Sequence, residues 1–262
     1  MNNVRALLKE DHYNVLKETI NNQATLGLKD VIEDIFNSEK KFILTIGNGG
    51  VGKTTIAAAI ALGLEERGKK VHLITTGSAP QLDFVIYEAS GITMSYIDEK
   101  VELENYQEEV FRVFAEIVDK VKEQAKDQVV VIDTAPTGNT LLLFESTQSY
   151  NQEMKHPEDD ISKSAKKILT RLRNKDETEV IIVTLAEATS VYEAMRLEDD
   201  LRSADINSKW WIINDPSLYI SETTNGMRTE KASDEKPRVN KVDAFASGNC
   251  AVIGWSVGEI KG

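Results

Sequence analysis

Short apolar runs recur along the chain, each bounded by polar or glycine-bearing stretches, and segments of helical periodicity lie between many of them. Residues 41–46, Lys41-Phe42-Ile43-Leu44-Thr45-Ile46, read as a strand buried on both faces, and so do 70–75, 129–133, 179–185 and 209–214. Residues 92–97 alternate apolar and polar positions as a further strand, and 250–255 is a candidate last one. The helical segments are amphipathic Leu28 to Phe36, apolar Thr55 to Leu64 with a stop at Gly68, and a long acidic one from Val101 to Lys126. Strands alternating with helices predict an α/β fold, a doubly wound, mostly parallel sheet with helices on both faces. From about Ser217 to Asn240 the sequence is polar and irregular, and no internal repeat is present.

One junction in this pattern carries chemistry. Gly47-Asn48-Gly49-Gly50-Val51-Gly52-Lys53-Thr54 fits G-x-x-x-x-G-K-[ST] and stands between the first strand and the first apolar helix. Glycines there let the backbone curl its N–H groups around a phosphate. The helix beginning near Lys53 adds the positive end of its dipole, the Lys53 ammonium reaches the β- and γ-phosphates, and the Thr54 hydroxyl suits Mg²⁺. The plain alternative is a glycine turn that only packs. Downstream, Val129-Val130-Val131-Ile132-Asp133 is an apolar strand ending in a carboxylate, placed where open α/β sheets bind ligands, or else a core strand with a chance Asp at its end. Loop and strand together predict a sheet of the P-loop NTPase type.

Composition narrows the partners. Among 262 residues, 31 Lys and Arg stand against 43 Asp and Glu, a net charge of −12, which disfavours nucleic acid as a partner. A nucleotide is still allowed, because the loop neutralises phosphate locally. Cys250 is the single cysteine, so no internal disulfide forms and a cytoplasmic location is expected. His12, His72 and His156 show no metal-ligand spacing. No secretory signal opens the sequence, and the longest apolar run, around Ile56 to Leu64, is too short to span a bilayer.

The stretch Asp133-Thr134-Ala135-Pro136-Thr137-Gly138-Asn139-Thr140 resembles the D-T-A-P-T-G-H-T signature of the arsenite-pump ATPases (ArsA) and of their relatives that deliver tail-anchored membrane proteins. Gly47 to Ala61 resembles that family's G-K-G-G-V-G-K-T-T loop of the deviant Walker A class. Val180 to Glu187 resembles its V-L-L-V-T-L-x-E segment, and Trp211-Ile212-Ile213-Asn214 its W-I-I-N strand. The detailed match is to the C-terminal half of a tandem pump ATPase, which implies a linker or extension over 1–40 and an ATPase domain over 41–262. The resemblance implies ATP and Mg²⁺ as ligands. The nucleotide would be held by the loop from Gly47 through Gly49, Gly50, Val51, Gly52, Lys53 and Thr54, with Thr55 beyond it. Thr54 would hold Mg²⁺ directly, Asp133 would hold it through water, and Lys53 and Asp133 would be catalytic. Thr137 and Gly138 would sense the γ-phosphate. Asn214 would contact adenine, although on spacing alone it is equally a polar cap at a strand end. Expected partners are a second ATPase half or subunit and an integral membrane efflux protein, which would make the protein peripheral at the membrane.

Four departures from the family pattern bear on turnover and substrate. Asn48 stands where the signature lysine belongs, Gly77 where the switch aspartate belongs, and Asn139 where the histidine belongs. The segment before Asp133 lacks the family's metalloid cysteine, and Cys250 alone cannot supply several converging sulfurs. The alternative function is therefore a non-hydrolytic regulatory half-module. Two lesser signals have two readings each. Lys163 to Arg173 is a basic amphipathic helix that either docks on a membrane surface or an acidic partner or is simply solvated, and Trp210-Trp211 either lines an interface or has one of its two rings facing the core.

Overall fold

The computed structural model describes residues 26–76, 91–97, 128–134, 170–214 and 237–253. Seven strands form one sheet: β1 (Phe42–Ile46), β2 (Lys70–Thr76), β3 (Ile92–Ile97), β4 (Gln128–Asp133), β5 (Thr178–Thr184), β6 (Ser208–Asn214) and β7 (Cys250–Ile253). Their order is β3-β2-β4-β1-β5-β6-β7, and every pairing is parallel. Each expected strand is present within a residue or two of its expected ends. Among the described residues, helices α1 (Leu28–Asn37), α2 (Lys53–Glu65) and α3 (Ala188–Ser203) accompany the sheet. The expected helix Val101 to Lys126 lies outside the described residues.

The central strands β1, β4 and β5 are buried almost throughout and largely apolar, because the sheet is covered there on both faces. Ile43, Val131, Ile181 and Ile212 point to the face carrying α1 and α2, and Leu44, Val130, Ile182 and Ile213 to the face carrying α3. Helix α2 is apolar on every side because it lies between the sheet and α1. Ile32 of α1 packs so closely on it that a Cβ at Gly63 would lie 2.6 Å from the Ile32 Cδ1. The polar side of α1 is pinned to β6, where Asp34 accepts hydrogen bonds from Trp210 Nε1 at 2.8 Å and from Lys209 Nζ at 2.6 Å. Trp210 and Trp211 enter opposite cores, 5% and 2% exposed, so both rings are buried where the sequence leads us to expect one.

One stretch departs from its expected irregularity. Residues 237–245 are helical, with Val239, Val242 and Ala246 in the α3-side core. Short apolar residues at helical spacing, set among many polar ones, hid this helix from a composition-based reading. Of the basic segment Lys163 to Arg173, residues 170–173 are described. There Arg171 pairs with Glu177 and Arg173 Nε donates to the Ala204 carbonyl at 2.8 Å, so both arginines are engaged within the fold.

The chain leaves β1 for β2 and the edge strand β3, returns to β4 beside β1, then crosses to β5 and the opposite edge. The C-terminal ends of β4, β1 and β5 therefore flank the reversal of strand order. That is where open α/β sheets leave a ligand crevice.

Candidate nucleotide site

The loop Gly47 to Thr54 sits at this reversal. Gly47 turns the chain out of β1 with φ 154°, and a Cβ there would collide with the Val183 carbonyl of β5. Gly49 and Gly50 form the exposed tip, after which Val51 folds back into the core at 1% exposure. Gly52, at φ 91° in the left-handed region, is the N-cap of α2, so Lys53 opens the helix. Thr55 is half-buried in its first turn. This is the strand, glycine loop and helix that the sequence motif predicts.

Lys53 is folded along the loop, 7% exposed, with Nζ donating to the Asn48 carbonyl at 2.9 Å. Burial holds the Lys53 ammonium below its ordinary pKa, and the nearby Asp133 carboxylate opposes that shift. Asp133 itself is 1% exposed at the end of β4. Its Oδ2 accepts two hydroxyls, from Thr54 at 2.6 Å and from Thr75 at 2.8 Å. The sheet register makes this meeting possible, since Thr75 of β2 and Thr45 of β1 are both cross-strand partners of Asp133. Thr134 anchors the chain as it leaves β4, its N–H and Oγ1 both donating to the Thr45 carbonyl, at 3.3 and 2.9 Å.

The donor set around Asp133 is oxygen alone, next to a lysine and the N-terminal end of a helix. Hard oxygen donors suit Mg²⁺, and the loop amides with Lys53 suit phosphate, so the residues present fit both groups. Asn214, at the end of β6, joins from below the loop. Its amide donates to the Val51 carbonyl at 2.9 Å. Thr137, Gly138, Gly77 and Asn139 lie outside the described residues.

Thr75 is the side chain that the sequence did not single out. It stands two residues before Gly77 in an ordinary apolar strand, and only the alignment of β2 with β4 brings its hydroxyl to Asp133. Among the described residues no cluster of three or more His, Cys, Asp or Glu is arranged to hold a metal, and no helix is long and apolar enough to cross a membrane. Cys250 is buried in β7, and burial pushes its thiol pKa far up.

A glycine loop between β1 and α2, a lysine opening the helix and a carboxylate ending the adjacent strand define a P-loop domain of the doubly wound α/β class. The sequence model of the anion-transporting ATPases matches residues 40–112, 106–168 and 156–262, and the chain belongs to that family. It is 32% identical over 260 residues to an arsenical pump-driving ATPase of Escherichia coli, an alignment covering 89% of this chain and 44% of that protein. It is 33% identical over 253 residues to an arsenical pump-driving ATPase of Acidiphilium multivorum, covering 83% and 42%. An ATPase ASNA1 homolog of Dictyostelium discoideum is 29% identical over 246 residues, covering 70% and 74%. The chain thus spans less than half the length of these two pump-driving relatives.

Proposed function

We propose that this chain is an ATP-binding, ATP-hydrolysing module of the kind that drives arsenite or antimonite efflux. The observation that carries the reading is the convergence of Thr54 and Thr75 on the buried Asp133, beside Lys53 and the glycine loop. In this reading the loop amides from Gly47 to Thr54 and the Lys53 ammonium hold the phosphates. Lys53 exchanges the Asn48 carbonyl for a phosphate oxygen, a move within reach of its long stem. The Thr54 hydroxyl keeps donating to Asp133 and turns a lone pair outward, so it would hold Mg²⁺ while Asp133 held it through water. Bound Mg²⁺ supplies charge neutralisation at the phosphates. Thr75 keeps the Asp133 carboxylate from rotating, Thr137 and Gly138 sense the γ-phosphate, and Asn214 lies on the base side.

The proposed ATPase domain runs over 41–262, with 1–40 an extension or inter-half linker whose last helix, α1, packs on α2. The proposed partners are a second ATPase half or subunit and an integral membrane efflux protein, with the module cytoplasmic and peripheral. A second reading, a regulatory half that binds nucleotide without turning it over, is favoured by Gly77 and Asn48, which stand where the family places an aspartate and a lysine. Calorimetry of ATP with Mg²⁺, alongside phosphate release from the same sample, separates the two. Binding with steady release supports the ATPase. Binding without release supports the regulatory half, and absence of Mg-ATP binding overturns both.

A further inference from the structure

Asn214 belongs to β6, which is separated from the loop-bearing strand β1 by β5. It is 5% exposed, and its side chain reaches across to the two residues that precede Lys53. The amide nitrogen donates to the Val51 carbonyl at 2.9 Å and fills the space that a Cβ on Gly52 would need. The orientation of the amide follows from this contact: turned over, its oxygen would face the Val51 oxygen, acceptor against acceptor.

Peptide planarity gives the contact a consequence. The peptide between Val51 and Gly52 is trans, so its C=O and N–H point in opposite directions. With the carbonyl drawn toward Asn214, the Gly52 N–H is turned away from β6. The left-handed backbone of Gly52 then leads directly into the first amides of α2. A carbonyl facing a phosphate repels it, whereas an N–H attracts it. We infer that Asn214 is a positioning residue for the phosphate loop, holding the 51–52 peptide in the orientation that offers amide hydrogens to a polyphosphate, whatever base that polyphosphate carries. The inference rests on the reading of Gly47 to Thr54 as a phosphate loop. It goes beyond a base contact, because it makes one side chain govern phosphate affinity directly.

A base-free ligand tests it. Mg-tripolyphosphate and Mg-ATP are titrated by calorimetry into the full chain, into Asn214→Ala and into Asn214→Leu, the last keeping the branched shape without a donor. Circular dichroism melting confirms that each variant is folded, and if Asn214→Ala is not, Asn214→Leu carries the comparison. The expected result is that both ligands weaken by the same factor, about tenfold or more, because the Val51 carbonyl loses its partner and the loop amides lose their aim. Loss of ATP affinity with unchanged tripolyphosphate affinity makes Asn214 a base contact and overturns the inference. Unchanged affinity for both ligands in folded variants overturns it too, while leaving the phosphate site intact. If the unaltered chain binds neither ligand, the reading of the loop falls and takes this inference with it.

Discussion

A buried glutamate shows how much a single residue can shift the balance here. Glu179, second in β5, is 2% exposed, with Lys40 Nζ 3.8 Å from its carboxylate. Burial strips the carboxylate of water and raises its pKa from 4.5 to about 7; Lys40 and Lys209 oppose the rise, and Asp34 adds to it. Between those two values the folded protein keeps the proton and the unfolded chain releases it. Glu179 therefore stabilises the fold below pH 4.5, and that contribution drains away as pH rises through about 7. Its full extent is about 3 kcal/mol. Urea unfolding from pH 4.5 to 8 is expected to show Glu179→Gln gaining on the unaltered protein as pH rises. Parallel curves for the two proteins would show that another group sets the slope. The sequence placed Glu179 at the polar start of a buried strand, but the lysines and the aspartate around it were not legible there.

At the scale of the element, α1 asks whether packing or charge holds a helix in place. Asp34 and Lys209 form an ion pair with side chains 30% and 44% exposed, a type worth up to about 1 kcal/mol. Val31, Ile32 and Ile35 are at most 1% exposed against α2 and its neighbours, and truncating one such isoleucine to alanine costs about 2–5 kcal/mol. Packing wins by magnitude. Ile32→Ala is expected to lower the unfolding free energy by an amount in that range, read as a fall in the urea midpoint at unchanged slope, and by more than Lys209→Ala does. The reverse ranking would make the ion pair the main anchor of α1. The apolar stripe of α1 was visible as helical spacing, whereas the partner of that stripe was not. The helix at 237–245 went unseen because its few apolar positions stand among many polar ones, although Val239 and Val242 join the core on the α3 side.

The whole molecule links this site to stability. A ligand that binds only the folded state at a hundred times its Kd adds about 2.7 kcal/mol. Because the oxygen donors Thr54 and Asp133 point to Mg²⁺ as part of the ligand, ATP with Mg²⁺ is expected to raise the melting temperature, and ATP with excess EDTA to raise it much less. Equal shifts with and without EDTA would remove the ion from the site. The net charge of −12 does not oppose this binding, since the phosphates would meet loop amides and Lys53 rather than the average surface.

By itself the sequence determined whatever is written in a short window of residues. Apolar runs marked the strands, glycines with Lys53 and Thr54 marked the loop, and Asp133 at a strand end marked its partner, because backbone conformation and periodicity are local properties. Motif order added the family. The tertiary structure alone decided strand order and register, and with them every contact between residues far apart in the chain. Thr75 meets Asp133 across 58 positions and Asn214 meets Val51 across 163. Trp210 and Trp211, neighbours in sequence, end in separate cores. Such contacts arise when the two faces of one sheet are covered together, and a packing solution of that kind is shared by the whole chain rather than stored in any stretch of it.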